Sequence, residues 1–371
     1  MSEASKLFKD VFFKAGFIDE FSDALAHVMP AFDKRSFAHK VFDKEWKNKE
    51  LKQRVRHIAT VLHTVLPKHF PDAASTIVAL VEHLQQKVKS VSFGYMCLPE
   101  YIEVYGIDYY KESVAAMEEV TKFMSCEFAV RPFIVKYGDK MMTKMMAWAK
   151  HKHPRVRRLA TEGCRPRLPW AMALPAFKKD PSAILTILEQ LKADKDIWVK
   201  KSVANNLNDM SKDNPEFTLS VIKTWKGDDP NTNWIIKHAS RTLLKQGHTE
   251  LMELFGFKKD KALKLERFTI HTPKVKMGKE LVFSFDISNG SKQQKMVRLE
   301  YGMYYNRANG SMSKKVFKIS EREYMAGETY SVTRKQSFKP ITTRAYYPGL
   351  HKVSVIVNGH EMMDAEFSLT N

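Results

Sequence analysis

One short turn recurs along the first two thirds of the chain and constrains the fold more than any other feature. Val55-Arg56-His57-Ile58-Ala59, Val156-Arg157-Arg158-Leu159-Ala160, Val199-Lys200-Lys201-Ser202-Val203 and Ile236-Lys237-His238-Ala239-Ser240 share one order: apolar, basic, basic or histidine, then small or apolar. The last three begin 43 and 37 residues apart. In a helix the apolar positions of such a turn fall on one face and the basic ones turn away from it, so each copy buries one side and presents positive charge on another. A spacing near 40 residues suits helix pairs that cannot bury their apolar faces alone and must stack on their neighbours. Second helices of successive pairs line the concave side of such an array, so the repeated basic turn predicts a positive groove for a curved polyanion.

Up to about Phe257 the chain reads as helix after helix, with Leu51 to Leu66, Ala73 to Val88 and Ser182 to Leu191 as clear cases. After about Leu265 the pattern changes to alternation, with strands expected near Leu281 to Ile287, Met296 to Tyr304, Val316 to Ile319, Thr329 to Lys335, His351 to Val357 and Glu361 to Leu369. Asn358-Gly359 is a hairpin signal between the last two. About seven short antiparallel strands fit an immunoglobulin-like sandwich, here without the cysteine pair of antibody domains. The expected fold class is mainly α: a HEAT-like α-α superhelix over residues 1–257, then a C-terminal immunoglobulin-like β-sandwich over 265–371.

Charge narrows the partners. Lys and Arg number 61 against 42 Asp and Glu, a net +19, which draws the chain to polyanions, nucleic acid first among them. Residues 263–371 contribute +8 of this and the helical part +11, so both domains favour the same partner. Two basic tracts, Arg307 to Lys315 and Arg334 to Arg344 followed by Tyr346-Tyr347, suit backbone or minor-groove contacts. No apolar run approaches the ~18 residues of a membrane span, and Lys6, Asp10 and Lys14 interrupt the N-terminus, so a cytoplasmic protein without membrane contact is expected. Cys97, Cys126 and Cys164 are odd in number and far apart, and the histidines are scattered, so neither disulfides nor a metal is expected.

The basic residues are densest from Lys150 to Trp170, where Glu162 is the only acid among Lys150, Lys152, Arg155, Arg157, Arg158, Arg165 and Arg167. If Pro154 opens a helix, Val156, Leu159, Ala160 and Gly163 face a neighbour, and Arg155, Arg158, Glu162 and Arg165 form a stripe on the opposite side. The plain alternative is a surface ion pair between Arg158 and Glu162. In the helix from Ile197 to Met210, Val199, Val203, Leu207 and Met210 take one side, and Lys201, Asn205 and Asp209 another, which puts Asp209 on the groove face or simply near a helix end. Glu127 is expected to start a helix, and Trp170 serves either the groove or a core. No phosphate-cradling glycine loop, nucleophile elbow, paired zinc motif or dinucleotide fingerprint is present, so any chemistry falls to carboxylates and aromatics.

EFAVRPF at 127–133, ATEGCRPRLPW at 160–170 and SVANNLND at 202–209 together resemble the AlkC branch of the AlkC/AlkD family of HEAT-like-repeat DNA glycosylases, which excise alkylated bases. The resemblance covers the helical region, and an appended immunoglobulin-like domain is itself a feature of AlkC members. It implies Glu127, Glu162 and Asp209 as active-site acids, Trp170 as the active-site tryptophan, and Arg158 and Arg165 as the basic residues around them. The charge pattern adds Arg155, Arg167, Lys201 and Arg131 as DNA contacts. A bacterial base-excision-repair enzyme without cofactor is implied, acting on 3-methyladenine and 3-methylcytosine in double-stranded DNA without a deep base-flipping pocket; a monomer is the default expectation. A base alkylated at a ring nitrogen is cationic and departs neutral without a general acid. The sugar it leaves has oxocarbenium character, which Glu162 and Asp209 are expected to stabilise while orienting or deprotonating water, with Glu127 shaping the site or contacting the cationic base. A non-enzymatic HEAT-type nucleic-acid scaffold and an RNA-handling repeat protein are the competing readings.

Overall fold

The structure, a computed structural model, describes residues 13, 15–227, 229–341 and 344–371; Lys6, Asp10 and Lys14, together with Thr342-Thr343 of the second basic tract, lie outside the described residues. The chain divides into two compact units, Met1–Ala239 and Ser240–Asn371.

The first unit is helical: α1 (Ala15–Val28), α2 (Lys34–Val41), α3 (Leu51–Val65), α4 (Phe70–Lys87), α5 (Cys97–Tyr105), α6 (Tyr110–Val120), α7 (Val130–Ala149), α8 (Pro154–Glu162), α9 (Pro175–Lys179), α10 (Ser182–Leu191), α11 (Ile197–Met210), α12 (Pro215–Trp225) and α13 (Pro230–Ala239). Local chemistry sets the ends that matter. Pro154 occupies the first turn of α8, and the His153 ring accepts from the Arg155 N–H. The Asp196 carboxylate caps α11 by accepting from the N–H groups of Trp198 and Val199. Within α7, Gly138 at φ 47° and ψ −125° breaks the helix and bends it, a conformation that costs glycine little.

The first copy of the repeated turn lies on α3 and the last three on α8, α11 and α13, which pack one on the next. Val156, Val199 and Ile236, the first residues of these three copies, are buried. Thr161 Oγ1 donates to Ser202 Oγ at 2.5 Å, Asn206 Nδ2 to the Thr161 carbonyl at 2.9 Å, and Arg165 Nε to Asp209 Oδ2 at 2.9 Å. The partners are 41, 45 and 44 residues apart and ascend together, so α8 and α11 run parallel in a register close to the 43-residue spacing of the repeat.

The second unit begins with α14 (Arg241–Lys245) and α15 (Thr249–Leu254) and continues as β1 (Leu263–Ile270), β2 (Lys274–Lys276), β3 (Glu280–Asn289), β4 (Lys295–Asn306), β5 (Met312–Tyr324), β6 (Thr329–Ser337), β7 (Gly349–Val357) and β8 (His360–Thr370). Sheets ordered β1-β3-β6 and β2-β8-β7-β4-β5 enclose a core that includes Phe283, Phe285, Leu299, Met303, Val355 and Phe367. The described pairings are antiparallel except β2 with β8. Asn358 at φ 49° and Gly359 at φ 81° make the expected hairpin turn. The strand pattern omitted β1 and β2. A bulge between Glu266 and Thr269, with Arg267 at φ 53°, resets the alternation of β1, and β2 is only three residues long.

The units part at residue 239/240, ahead of the boundary expected at 257–265. Helices α14 and α15 belong with the sandwich. A Cβ on Gly247 would lie 3.1 Å from the Gly359 carbonyl oxygen, a Cβ on Gly359 would lie 3.1 Å from Met252 Cε, and Asn358 Nδ2 donates to the Lys258 carbonyl at 2.8 Å.

Gly163 tests the α7–α8 seam. A Cβ there would lie 2.5 Å from Val130 Cγ1 and 3.0 Å from the Leu159 carbonyl oxygen. Gly163→Ala is expected to destabilise the protein by about 1–3 kcal/mol in urea unfolding, and an unchanged midpoint would mean that the seam is loose.

Candidate active site

The in-register packing of α8 on α11 brings the last turns of both helices against one another. Glu162 and Asp209 are therefore buried, at 5% and 2% exposure, and Arg165 with them. This corrects the expected open stripe: Arg155 stays exposed and Arg158 partly so, while Glu162 and Arg165 are covered. Arg165 joins the two acids. Its Nη1 donates to Glu162 Oε1 at 2.6 Å, and its Nε and Nη2 lie 2.9 and 2.8 Å from Asp209 Oδ2. Lys212 Nζ donates to the other Asp209 oxygen at 3.1 Å.

Arg158 extends the line on the other side. Its Nη1 lies 2.8 Å from Glu127 Oε2, and its Nη2 lies 3.8 Å from Glu162 Oε1. The Arg158–Glu162 approach is thus one step in a run Glu127–Arg158–Glu162–Arg165–Asp209–Lys212, not an isolated surface pair. Three acids alternate with three cations. Burial opposes the charge on Arg165, but Glu162 and Asp209 outweigh it and hold its pKa above the ordinary arginine value. Glu127 lies in the turn three residues ahead of α7 instead of opening it, and accepts from Ser125 Oγ at 2.9 Å.

Arg131, expected to contact DNA, is fully buried. Its Nε donates to the Met172 carbonyl at 2.7 Å, and its Nη1 to the Gly163 and Arg165 carbonyls at 2.8 Å each. It ties residues 163–172 to α7 from beneath and presents nothing to a phosphate. Burial lowers its pKa to about 10, which leaves it charged at neutral pH.

The segment held by Arg131 carries Trp170, which neither starts a helix nor enters a core. The side chain is 66% exposed and the backbone sits at φ 66°, the left-handed region. Such a conformation costs a bulky residue roughly 1–3 kcal/mol and persists only where neighbours enforce it. Lys52 Nζ adds a second restraint, donating to the Trp170 carbonyl at 2.9 Å. Arg167 is exposed and pairs with Asp213, Arg155 donates to the Lys122 and Phe123 carbonyls, and the Lys201 ammonium lies 4.6 Å from the Trp198 ring.

Lys52, Phe128 and Trp198 were missed. Lys52 and Trp198 lie just ahead of copies of the basic turn, and Phe128 sits inside the EFAVRPF motif. Lys49, Lys52, Arg56, Glu103, Phe128 and Met172 help line a cleft of about 570 Å³ on the Trp170 side. Burial, then the charge of Glu100, pushes the Glu103 pKa up to about 7, against the pull of Arg56 and Lys52. Among the described residues no three His, Cys, Asp or Glu side chains group as metal ligands, and no helix is long and apolar enough to cross a membrane. The three thiols are buried, and burial pushes the Cys164 pKa up to about 12.

A family model described as DNA alkylation repair enzyme matches residues 40–243, and one described as the C-terminal Ig-like domain of uncharacterised protein YhaZ matches residues 264–371. The chain is 41% identical to the uncharacterized protein YhaZ of Bacillus subtilis over 340 residues, 92% of this chain and 93% of that protein. The solved structure of Pseudomonas fluorescens alkylpurine DNA glycosylase AlkC, bound to DNA containing an abasic site analog, matches with a TM-score of 0.91 at 34% identity, covering 98% of this chain and 99% of AlkC.

Arg165→Met would strand two buried carboxylates and is expected to cost about 3–5 kcal/mol of unfolding free energy, with part of the loss recovered when Glu162→Gln and Asp209→Asn are added. A loss below 1 kcal/mol would show that the clamp is not structural. Glu103 predicts a pH effect. Its folded pKa of about 7 exceeds the ordinary 4.5, so the folded state holds a proton that the unfolded state has released, and stability falls as pH rises between those values. Glu103→Gln should raise the melting temperature at pH 8 and leave it nearly unchanged at pH 4.5; equal shifts at both would refute this.

Proposed function

The chain belongs to the DNA alkylation repair enzyme family, and on that premise we propose that it is a DNA glycosylase hydrolysing the N-glycosidic bond of cationic alkylated bases, 3-methyladenine and 3-methylcytosine, in double-stranded DNA. The observation that carries this reading is a pair of buried carboxylates, Glu162 and Asp209, shared by one guanidinium, Arg165. It also draws on AlkC, the alkylpurine DNA glycosylase that this chain resembles over nearly its full length.

The C1′–N bond breaks first in this scheme, and its electron pair goes to the base and cancels the positive charge there. No general acid is required. The sugar cation is stabilised by the carboxylates, then a water oxygen bonds to C1′ and gives up a proton. Both Asp209 oxygens already accept hydrogen bonds, which suits electrostatic support. Glu162 is held through Oε1, which suits orienting and deprotonating the water. Glu127, fixed by Arg158 and Ser125, closes the site next to the lesion.

Trp170 packs against the deoxyribose or a neighbouring base, worth ~1–3 kcal/mol if it stacks. An aromatic that stands 66% exposed fits excision without a deep extrusion pocket. Arg155, Arg167, Lys201 and Lys52 take phosphates. The immunoglobulin-like unit adds backbone contacts through the end of the β4–β5 hairpin, Arg307 to Lys315, a tract whose last four residues are the start of β5. We infer a monomer working in the bacterial cytoplasm.

Glu162→Gln and Asp209→Asn are each expected to slow release of 3-methyladenine from duplex DNA at least a hundredfold, with binding to abasic-site DNA kept or strengthened. Release at the wild-type rate by both variants would overturn the chemistry, and no release by the wild type would favour a non-enzymatic scaffold. Replacing Arg307 and Lys315 by Ala should flatten the dependence of log affinity on log salt by about 1–2, and an unchanged slope would remove that tract from the DNA interface.

A further inference from the structure

Because α8 and α11 run parallel, they share a second meeting point at their first turns, the end away from Asp209. A cleft of about 480 Å³ opens there, lined among others by Thr121, Ser125, His153, Arg155, Arg158 and Trp198. Trp198 is 63% exposed, which leaves a large apolar ring in water. Lys201 lies over the ring at 4.6 Å, and Asp196 fixes the backbone beneath it by accepting from the Trp198 and Val199 N–H groups. Asp196 is the acid at the rim, and this capping role engages it. Arg158 belongs both to the cleft and to the acid line, through Ser125 Oγ at 3.2 Å and Glu127 at 2.8 Å. Trp198 stands level with the start of α8, away from the turns that carry Glu162 and Asp209.

An aromatic shelf beside two guanidinium groups has the chemistry of a nucleotide site, with the base on the ring and the phosphate on the cations. In the 43-residue register Glu162 stands level with Asn205, seven residues from Trp198, or ~10 Å of helix. That is about three base-pair rises of 3.4 Å. We propose that this cleft is a nucleotide subsite which stacks an undamaged base, two to four positions from the lesion on one side only, against Trp198 with its phosphate on Arg155. It sets the register in which the strand passes the acids. The inference rests on the glycosylase reading for the identity of the strand, while its test depends only on DNA binding.

The test uses the full-length protein and duplexes with a stable abasic-site analogue, each carrying one 5-iodouracil at positions one to six on either side. Irradiation should crosslink residue 198 from one flank, at positions two to four. Trp198→Ala should lose that crosslink and weaken binding about five- to hundredfold, the worth of one stacked base, while Trp198→Phe keeps most of the affinity. No crosslink to residue 198 from any position, or wild-type affinity in Trp198→Ala, overturns the subsite. Release of 3-methyladenine by the same wild-type preparation is measured in parallel. Release without a crosslink sinks the subsite alone, and a crosslink without release sinks the proposed chemistry and leaves the subsite standing.

Discussion

The Arg165 guanidinium is the contact on which the rest of the site depends. It sits between Glu162, three residues back in its own segment, and Asp209, 44 residues on in the next repeat. Each of these charges would be costly to bury alone, and together they repay one another only in good geometry. The seam between α8 and α11 therefore closes with its two acids paired to one guanidinium. Thr161 with Ser202, and Asn206 with the Thr161 carbonyl, hold the same register along the seam.

The arginines of the stretch from Lys150 to Trp170 end in different places. Arg165 clamps two carboxylates, Arg158 joins Glu127 to that clamp, and Arg167 reaches Asp213 from the surface. Arg131, from the preceding motif, lies beneath and spends its donors on main-chain carbonyls. Its hold on residues 163–172, with that of Lys52, keeps Trp170 in a backbone region which a bulky residue otherwise avoids. The acid line is locally neutral while the chain as a whole carries +19, so the carboxylates sit among their own counter-charges in a chain that attracts polyanions.

Much of the fold was legible because it follows from local periodicity. The 43-residue spacing of Val156 and Val199 reappears as the register between α8 and α11, and Pro154, Asp196 and Asn358-Gly359 mark helix starts and a hairpin by their own backbone chemistry. The packing of α14 and α15 with the second unit was not legible. Helices α14 and α15 are short and carry the same spacing as those before them, and only their packing on the sandwich assigns them. The irregular β1 escaped for a similar reason, since its bulge breaks the period by which strands are recognised.

By itself the sequence determined the helices and strands and the net positive charge, and through three motifs it pointed to the acids and the tryptophan as a candidate site. Tertiary structure alone decided which charges meet, which are sealed and which face water. Arg131 and Arg165 look like Arg155 and Arg167 in the chain, yet the first pair is buried and the second exposed. The physical reason is that a side chain's exposure and partners depend on the helix packed against it, and that helix arrives from about forty residues away.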